Sequence, residues 1–339
     1  MIAESLPQVA GLFILAAAAT VSFGIYITLL ADDIAVRTGI GRVLVGSILL
    51  GALTSVAEIG TSITAALEQH AELAVNNAVG SIAAQTAFLA VADLSYRRAN
   101  LEHAAASVSN LMLNGFLLLL LGLLLLAAVL PDLSVVGVHP ISLVLPVVYV
   151  YGMWLVARSG ESPMWHARWT YETNQEESPS RDGSGSLTSL FSRFAVVAVL
   201  LVGSGALLAE SGIALTRLTG LSESFVGALL TGVVSSAPEL VTALTAIRIG
   251  ALSLAVANII GGNTFDSIIV ALADFVYPGS IFKDAGDGLA ALITATLLMN
   301  TVLLLGLIRR ERHGIGNIGL EGVLLLLLYL GVVVGLTNQ

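Results

Sequence analysis

Cysteine is absent from this sequence of 339 residues, and charged residues are scarce, at 11%. The missing cysteine excludes a disulfide framework, a thiolate metal site and a cysteine nucleophile. Soluble domains carry about a quarter charged residues, so the shortage of charge, together with 56% hydrophobic residues, excludes a soluble fold. The net charge of -9 also argues against a nucleic-acid partner. A membrane protein whose chemistry uses oxygen ligands remains open.

Long apolar stretches fill most of the chain. A helix needs about 20 mostly apolar residues to cross a bilayer, and this length predicts an all-α integral membrane protein with ten transmembrane helices. The predicted spans are 9–31, 43–67, 73–95, 104–130, 141–157, 194–216, 222–247, 252–276, 286–308 and 317–336. The lipid bilayer is therefore the expected surrounding of the chain, and a monomer is its expected state.

The basic residues between the spans predict an orientation. When sides alternate after each span, twelve of the fourteen Lys and Arg residues fall on one side, and only Arg217 and Lys283 fall on the other. Because basic loops favour the cytoplasm, we expect a multi-pass protein of the plasma membrane with both termini outside. The long polar segment 158–193 then lies in the cytoplasm, where its Ser and Gly content is typical of a linker.

An internal repeat relates the two halves of the chain, 1–157 and 194–339. Residues 45–93 align with 226–274 at a constant offset of 181, without a gap. The matched pairs include Gly51 with Gly232, Ser55 with Ser236, Glu58 with Glu239, Asn77 with Asn258, Gly80 with Gly261 and Asp93 with Asp274. Each half holds five predicted spans, so the second half must be inverted relative to the first. Inverted repeats are typical of secondary transporters, which bind their substrate near the midplane between the repeats.

Acidic side chains occur in the middle of predicted spans. Glu58, Glu239 and Asp266 are expected at one depth, and Gln85 occupies the repeat position of Asp266. A carboxylate at the bilayer centre costs at least about 2.5 to 3.5 kcal/mol. The spans that carry these residues contain no basic residue away from their ends. Protons or a bound cation must therefore neutralise the carboxylates.

The candidate metal ligands all carry oxygen. They are Glu58, Glu239, Asp266, Gln85, Thr54, Ser55, Ser81, Ser235 and Ser236. Hard oxygen donors suit Ca2+, Na+ or Mg2+ rather than zinc or copper. The hydroxyl residues before each glutamate are expected to loosen the helix and free backbone carbonyls, with help from Pro238 in the second repeat only. We expect no catalytic residue and no cofactor, since the ions are themselves the substrates.

Polar residues near the ends of the spans have simpler expected roles. Asp93 and Asp274 are expected to cap backbone groups at the membrane edge. Glu68 and Glu72, on either side of His70, are expected to be solvated loop residues.

Two glutamate-bearing segments can be compared with known families. They are Gly51-Ala-Leu-Thr-Ser-Val-Ala-Glu58 and Gly232-Val-Val-Ser-Ser-Ala-Pro-Glu239, followed by Val79-Gly80-Ser81 and Ile260-Gly261-Gly262-Asn263-Thr264-Phe265-Asp266. These segments resemble the two alpha repeats of the sodium/calcium exchanger family, in the cation/Ca2+ exchanger superfamily. The resemblance implies exchange of a divalent cation, Ca2+, for Na+ by alternating access. It also implies that Glu58 and Glu239 are central ligands, joined by the backbone carbonyls of Thr54 and Ser235.

Three residues depart from the pattern of that family. Ala57 stands where a proline is usual, Gln85 where an asparagine is usual, and Gly262 where a serine is usual. The missing hydroxyl at Gly262 removes a donor that family members use for Na+, and the segment 80–85 resembles the repeat of cation/proton exchangers. Proton-coupled exchange of Ca2+ or Mg2+ is therefore the leading alternative.

Two further alternatives belong to other classes of protein. A passive cation channel also tolerates a ring of acidic residues in its pore. An intramembrane hydrolase would use Ser204 as nucleophile, but no histidine lies deep in a predicted span. A non-enzymatic exchanger is the favoured interpretation.

Overall fold

The structure, a computed structural model, describes residues 5–38, 51, 55–96, 99–105, 107–159, 186–248, 250, 252–312, 314 and 319–337. Within these ranges the chain is built from helices, and nine of them are long and apolar enough to cross a membrane. The prediction of an all-α membrane protein is confirmed.

The helices are α1 (Leu6–Thr38), α2 (Val56–Leu67), α3 (Ala71–Ser95), the short α4 (Leu101–Ala105), α5 (Val108–Val129), α6 (Pro140–Ser159), α7 (Leu187–Thr219), α8 (Glu223–Arg248), α9 (Leu252–Val276), the short α10 (Ile281–Asp284), α11 (Gly288–Arg309) and α12 (Leu320–Thr337). The predicted span 43–67 lies partly outside the described residues, and α2 is its described helix. Helices α1 and α7 each extend over 33 residues, past the ends of the predicted spans 9–31 and 194–216. Helix α7 begins inside the segment predicted to be a linker.

The offset of 181 residues that aligns the two repeat sequences also relates the ends of equivalent helices. Shifting Leu6–Thr38 by this offset gives Leu187–Thr219, the bounds of α7. Shifting Ala71–Ser95 gives Leu252–Val276, the bounds of α9. The structural repeat therefore begins with the first helix of each half and is longer than the aligned sequence segment.

Helices α3 and α9 form the centre of the protein. Both are buried over most of their length, and they pack against each other. Helices α2, α5, α8 and α11 surround this central pair. Since the two central helices are repeat equivalents, the boundary between the repeats runs through the middle of the fold.

The two 33-residue helices lie over the glutamate-bearing helices. At about 1.5 Å per residue, each is roughly 50 Å long, which exceeds the hydrocarbon thickness and requires tilt or extension beyond it. A Cβ atom added at Gly24 of α1 would lie 2.1 Å from Cγ of Pro238. At the equivalent Gly205 of α7, it would lie 2.3 Å from the carbonyl oxygen of Ala57. Each long helix therefore touches the residue just before the glutamate of the other repeat.

The aspartates at the ends of the central helices cap backbone groups, as predicted. Asp93 accepts hydrogen bonds from Leu101 N at 2.6 Å and from Gly319 N at 3.4 Å. Asp274 accepts one from His139 N at 2.8 Å. Both carboxylates thus stabilise the starts of neighbouring helices, whose N–H groups have no partner within their own helix.

Candidate functional site

The helical backbone is interrupted shortly before each glutamate. Ser55 has φ -73° and ψ 7°, and its repeat equivalent Ser236 has φ -87° and ψ 0°, which places both in the sparsely populated bridge region. Pro238 lacks an N–H group and so favours the second interruption. The first repeat is interrupted in the same way although Ala57 stands at that position. The predicted loosening is confirmed in both repeats, and it does not require the proline.

Helix α8 is also distorted one turn earlier. Its segment Val226–Thr231 is a π-helical turn, a rare conformation that is frequent at functional sites. The Thr231 hydroxyl donates to Asn77 Oδ1 at 2.7 Å, and Asn77 Nδ2 donates to Ser62 Oγ at 3.0 Å. These bonds tie the distorted part of α8 to α3 and α2.

A chain of hydrogen bonds joins four of the predicted ligands. The Ser236 hydroxyl donates to Glu58 Oε1 at 3.0 Å. Gln85 Nε2 donates to Ser236 Oγ at 3.2 Å and to Asp266 Oδ2 at 2.8 Å. All four side chains are fully buried. Every bond of the chain joins one repeat to the other, so the site belongs to both.

The contact between Gln85 and Asp266 locates the site within the repeat symmetry. These residues are 181 positions apart and hydrogen-bond directly to each other. Two equivalent residues can touch only near the axis that relates the two halves. The cluster therefore lies at the repeat interface, where transporters of this architecture bind their substrates.

The remaining predicted ligands lie around this chain. The buried Ser55 lies near the Asp266 carboxylate, and the buried Glu239 is close enough for its charge to act on Glu58. The hydroxyls of Ser81 and Ser235 both donate to the carbonyl oxygen of Gly232 in α8, each at 3.2 Å. A hydroxyl that donates keeps its lone pairs, so both oxygen atoms can still accept or coordinate. Thr54 lies outside the described residues.

Among the four side chains joined by the chain of hydrogen bonds, three oxygen atoms have no hydrogen-bond partner. They are Glu58 Oε2, Gln85 Oε1 and Asp266 Oδ1. Buried polar atoms are nearly always paired, and acceptor oxygens without donors are the groups that a cation binds. No three acidic or histidine side chains within the described ranges meet closely enough to enclose a metal ion. Amide, hydroxyl or carbonyl oxygens would therefore have to complete a coordination shell.

A polar network behind the site was not predicted. Asn263 Nδ2 donates to Thr86 Oγ1 at 3.0 Å, and the Thr86 hydroxyl, which donates to the carbonyl oxygen of Ile82 at 2.7 Å, lies 3.3 Å from Asn300 Oδ1. Thr86 directly follows Gln85, and the network extends from α3 and α9 to α11. The sequence signal was the single amide of Asn300 in an apolar span. It has no counterpart in the repeat, because Leu119 stands 181 positions earlier.

The prediction of a solvated loop residue was wrong for Glu72, and the nearby His70 is also partly buried. His70 Nδ1 lies 2.5 Å from Glu223 Oε1, and Arg217 Nη2 lies 3.3 Å from His70 Nε2. Glu72 accepts a hydrogen bond from the first turn of α8. Both residues are partly buried and link the first repeat to the second. Only Glu68 is exposed as expected.

Ser204, the serine considered as a nucleophile, takes part in helix packing. It accepts a hydrogen bond from Thr20 Oγ1 at 2.9 Å and donates one to the carbonyl of Leu201 at 2.8 Å. Ser and Thr commonly bridge membrane helices in this way. The bond from Thr20 joins α1 to α7.

Comparison with known protein sequences gives a match over most of the chain. The family described as sodium/calcium exchanger protein matches residues 8–158 and 189–338. The inner membrane protein YrbG of Escherichia coli (strain K12) is 27% identical over 254 residues, which cover 74% of this chain and 75% of YrbG. CaxA of Alkalimonas amylolytica, which is named as an antiporter, is 31% identical over 135 residues. This alignment covers 39% of this chain and 40% of CaxA.

Solved structures of the sodium-calcium exchanger NCX_Mj have the same fold. One of them, soaked with 2.5 mM Na+ and 10 mM Sr2+, has a TM-score of 0.61 and covers 97% of this chain and 99% of that chain. Another, soaked with 2.5 mM Na+ and 0.1 mM Ca2+, has a TM-score of 0.60 and covers 96% and 97%. Sequence identity is 18% in both alignments. The likeness confirms the predicted architecture of two inverted five-helix repeats.

Proposed function

Because this chain belongs to the sodium/calcium exchanger family, we propose that it is a secondary active antiporter that exchanges Ca2+ for Na+ by alternating access. The observation that carries the proposal is the buried chain of hydrogen bonds that links Glu58, Ser236, Gln85 and Asp266. Three acceptor oxygens of these side chains have no hydrogen-bond partner. Both repeats contribute to this chain. A cation supplies the missing partner for each of these oxygens.

The proposed ligands are those of the cluster. Glu58 and Glu239 are the central pair, and the others are Asp266, Gln85, Thr54, Ser55, Ser81, Ser235 and Ser236. Ca2+ takes six to eight oxygen ligands in flexible geometry, which suits a mixed set of carboxylates, hydroxyls, an amide and carbonyls. One Ca2+ or several monovalent cations can balance the same carboxylates. Competition for shared ligands then couples the two fluxes.

The long helices α1 and α7 are the proposed gates. Each touches the residue that precedes a glutamate, Pro238 for α1 and Ala57 for α7. Sliding of these helices alters access to the site from one side of the membrane or the other. Ion occupancy controls the sliding, because the unneutralised carboxylates repel one another.

A proton-coupled exchange of Ca2+ or Mg2+ is the second candidate. Gly262 stands at the repeat position of Ser81 and offers no hydroxyl, which leaves one oxygen donor fewer for Na+. Mg2+ usually keeps several waters and needs fewer protein ligands than Ca2+. Uptake driven by a pH gradient alone, without Na+, would favour this candidate over Na+ coupling.

The deciding experiment is uptake of radioactive Ca2+ into proteoliposomes under an imposed Na+ or pH gradient. We expect saturable uptake that requires the counter-ion. Glu58→Gln and Glu239→Gln should each lower the rate about 100-fold, or about 2.7 kcal/mol, because each removes a central charge. The control is Glu68→Gln, the same substitution at an exposed residue. Wild-type rates in both site variants would contradict the site, and flux without a counter-ion would indicate a channel.

The proposed orientation has both termini outside the plasma membrane and the segment 158–193 in the cytoplasm, in a monomeric protein. Because the chain has no cysteine, single cysteines can report the side directly. Val136 and Arg312 are exposed at opposite ends of the helices. An impermeant maleimide added to cells should label Val136→Cys and spare Arg312→Cys. The reverse pattern would invert the proposed topology.

A further inference from the structure

Gly262 and Ser81 are repeat equivalents with different surroundings. Ser81 places a hydroxyl on the carbonyl of Gly232, at 3.2 Å. Gly262 has no side chain, and a neighbour fills the corresponding space. A Cβ atom added at Gly262 would lie 3.1 Å from Gln85 Oε1 and 3.9 Å from Ser55 Oγ. The nearest atom to this position therefore belongs to the other repeat.

The amide of Gln85 cannot easily move away from Gly262. Its nitrogen donates to Asp266 Oδ2 at 2.8 Å and to Ser236 Oγ at 3.2 Å. These two bonds fix the plane of the amide and direct its oxygen towards Gly262. That oxygen is buried and has no hydrogen-bond partner. A side chain at 262 would have to displace it or break one of the two bonds.

We propose that Gly262 is a positioning residue for ion binding, because its missing side chain makes room for the Gln85 amide oxygen. The first repeat thus supplies a carbonyl-type oxygen at the place where the second repeat would otherwise supply a hydroxyl. This inference rests on the proposed function, since it takes the free oxygen of Gln85 to be a ligand of the transported divalent cation.

The two residues should therefore compensate for each other. Gln85→Asn shortens the side chain by one carbon–carbon bond, roughly 1.5 Å, and withdraws the oxygen. Gly262→Ser adds a hydroxyl but crowds the full-length amide. With both substitutions, the added hydroxyl occupies the space that the shorter amide has left.

The test is a double-mutant cycle of Gln85→Asn and Gly262→Ser on the purified full-length protein. The thermal unfolding midpoint in detergent is measured without divalent cations and again over a series of CaCl2 concentrations. The matched control is Gly122→Ser in α5, because a Cβ atom at Gly122 would meet no atom within 4 Å.

Without Ca2+, Gly262→Ser should lower the midpoint clearly, Gly122→Ser should not, and the double variant should lose less than the sum of the losses of Gln85→Asn and Gly262→Ser. With Ca2+, each single substitution should weaken apparent binding by about tenfold, and the double variant should bind more tightly than Gly262→Ser alone. Additive effects in the ion-free cycle, or a Gly262→Ser midpoint equal to that of the control, would overturn the inference. If Ca2+ does not shift the unfolding midpoint of the wild-type protein, the ligand role of Gln85 and the proposed function are both overturned. The measurements without divalent cations would still decide whether Gln85 and Gly262 pack against each other as proposed.

Discussion

Asn77 and Asn258 occupy the same position in the two repeats but have different partners. Asn77 is hydrogen-bonded through both ends of its amide, to Ser62 and Thr231. Asn258 is fully buried, and neither atom of its amide has a partner among the described residues. The difference arises from the neighbours, because Ser62 is replaced by Ala243 in the second repeat. Helices that are equivalent in the repeat therefore do not make equivalent side-chain hydrogen bonds.

The candidate site shows the same contrast. The first repeat contributes one carboxylate and one amide, Glu58 and Gln85, whereas the second contributes two carboxylates, Glu239 and Asp266. The backbones match closely, down to the interruptions at Ser55 and Ser236. The repeats thus share the geometry that creates the site and divide its chemistry unequally.

The largest expected effect on transport comes from a substitution that gives both repeats an acidic residue at the equivalent positions 85 and 266. Gln85→Glu would remove the donor to Asp266 and leave two carboxylates about 2.8 Å apart. Ca2+ uptake at neutral pH should fall about 100-fold or more, or about 2.7 kcal/mol, because like charges at this distance repel strongly in a buried site. The double variant Gln85→Glu/Asp266→Asn should recover part of the activity, because the amide introduced at 266 can donate to the new carboxylate. No recovery in the double variant would refute the pairing.

The next prediction compares the stability losses caused by substituting two equivalent glycines, Gly51 and Gly232. A Cβ atom at Gly51 would lie 2.6 Å from the backbone nitrogen of Gly262, whereas at Gly232 the nearest atoms are 3.1 Å away. Gly51→Ala must therefore move backbone and should cost about 1 to 3 kcal/mol of stability, whereas Gly232→Ala should cost less. Unfolding midpoints in detergent measure both, with Gly122→Ala as control. A larger loss for Gly232→Ala would reverse the comparison.

The next prediction concerns the pH dependence of stability. Glu102 in the first repeat corresponds to Lys283 in the second, so the acidic group exists in one repeat only. Burial, followed by the charge of Asp93, raises the pKa of Glu102 from 4.5 to about 8. The folded chain thus holds a proton that the unfolded chain releases, and stability should fall as pH rises between about 4.5 and about 8.

Between pH 7 and pH 8 the loss should be about 1 kcal/mol. Glu102→Gln carries no titratable group and should remove this part of the pH dependence, so that the variant is the more stable form above pH 8. Thermal midpoints of both proteins between pH 6 and pH 9 provide the measurement. Parallel curves would show that Glu102 does not hold the proton.

The smallest effect is expected at the partly exposed link between His70 and Glu223. Arg217 can only donate, so His70 Nε2 accepts its hydrogen bond, and the Nδ1 proton is directed to Glu223. The equivalent of His70 in the second repeat is Ala251. Glu223→Gln keeps an acceptor and should change stability by less than about 1 kcal/mol. A stability loss larger than that of Gly51→Ala would give this link a greater weight than a partly exposed hydrogen bond normally has.

Local sequence patterns were sufficient for much of the fold. Long apolar stretches predicted the helices, and the gapless offset predicted that the halves match. Hydropathy could not predict the full length of α1 and α7, because the ends of these helices extend past the apolar stretches that it detects. It also could not predict the partners of His70, which come from α7 and α8 of the other half.

The sequence by itself determined the approximate positions of the helices, the repeat and the presence of carboxylates within apolar helices, since these follow from residue types and from their spacing along the chain. Only the tertiary structure decided which oxygens are already paired and which are free. Gln85 meets its two partners across 151 and 181 residues, and Gly262 leaves space for its amide. Contacts of that kind depend on how the helices pack, and no spacing along the chain encodes them.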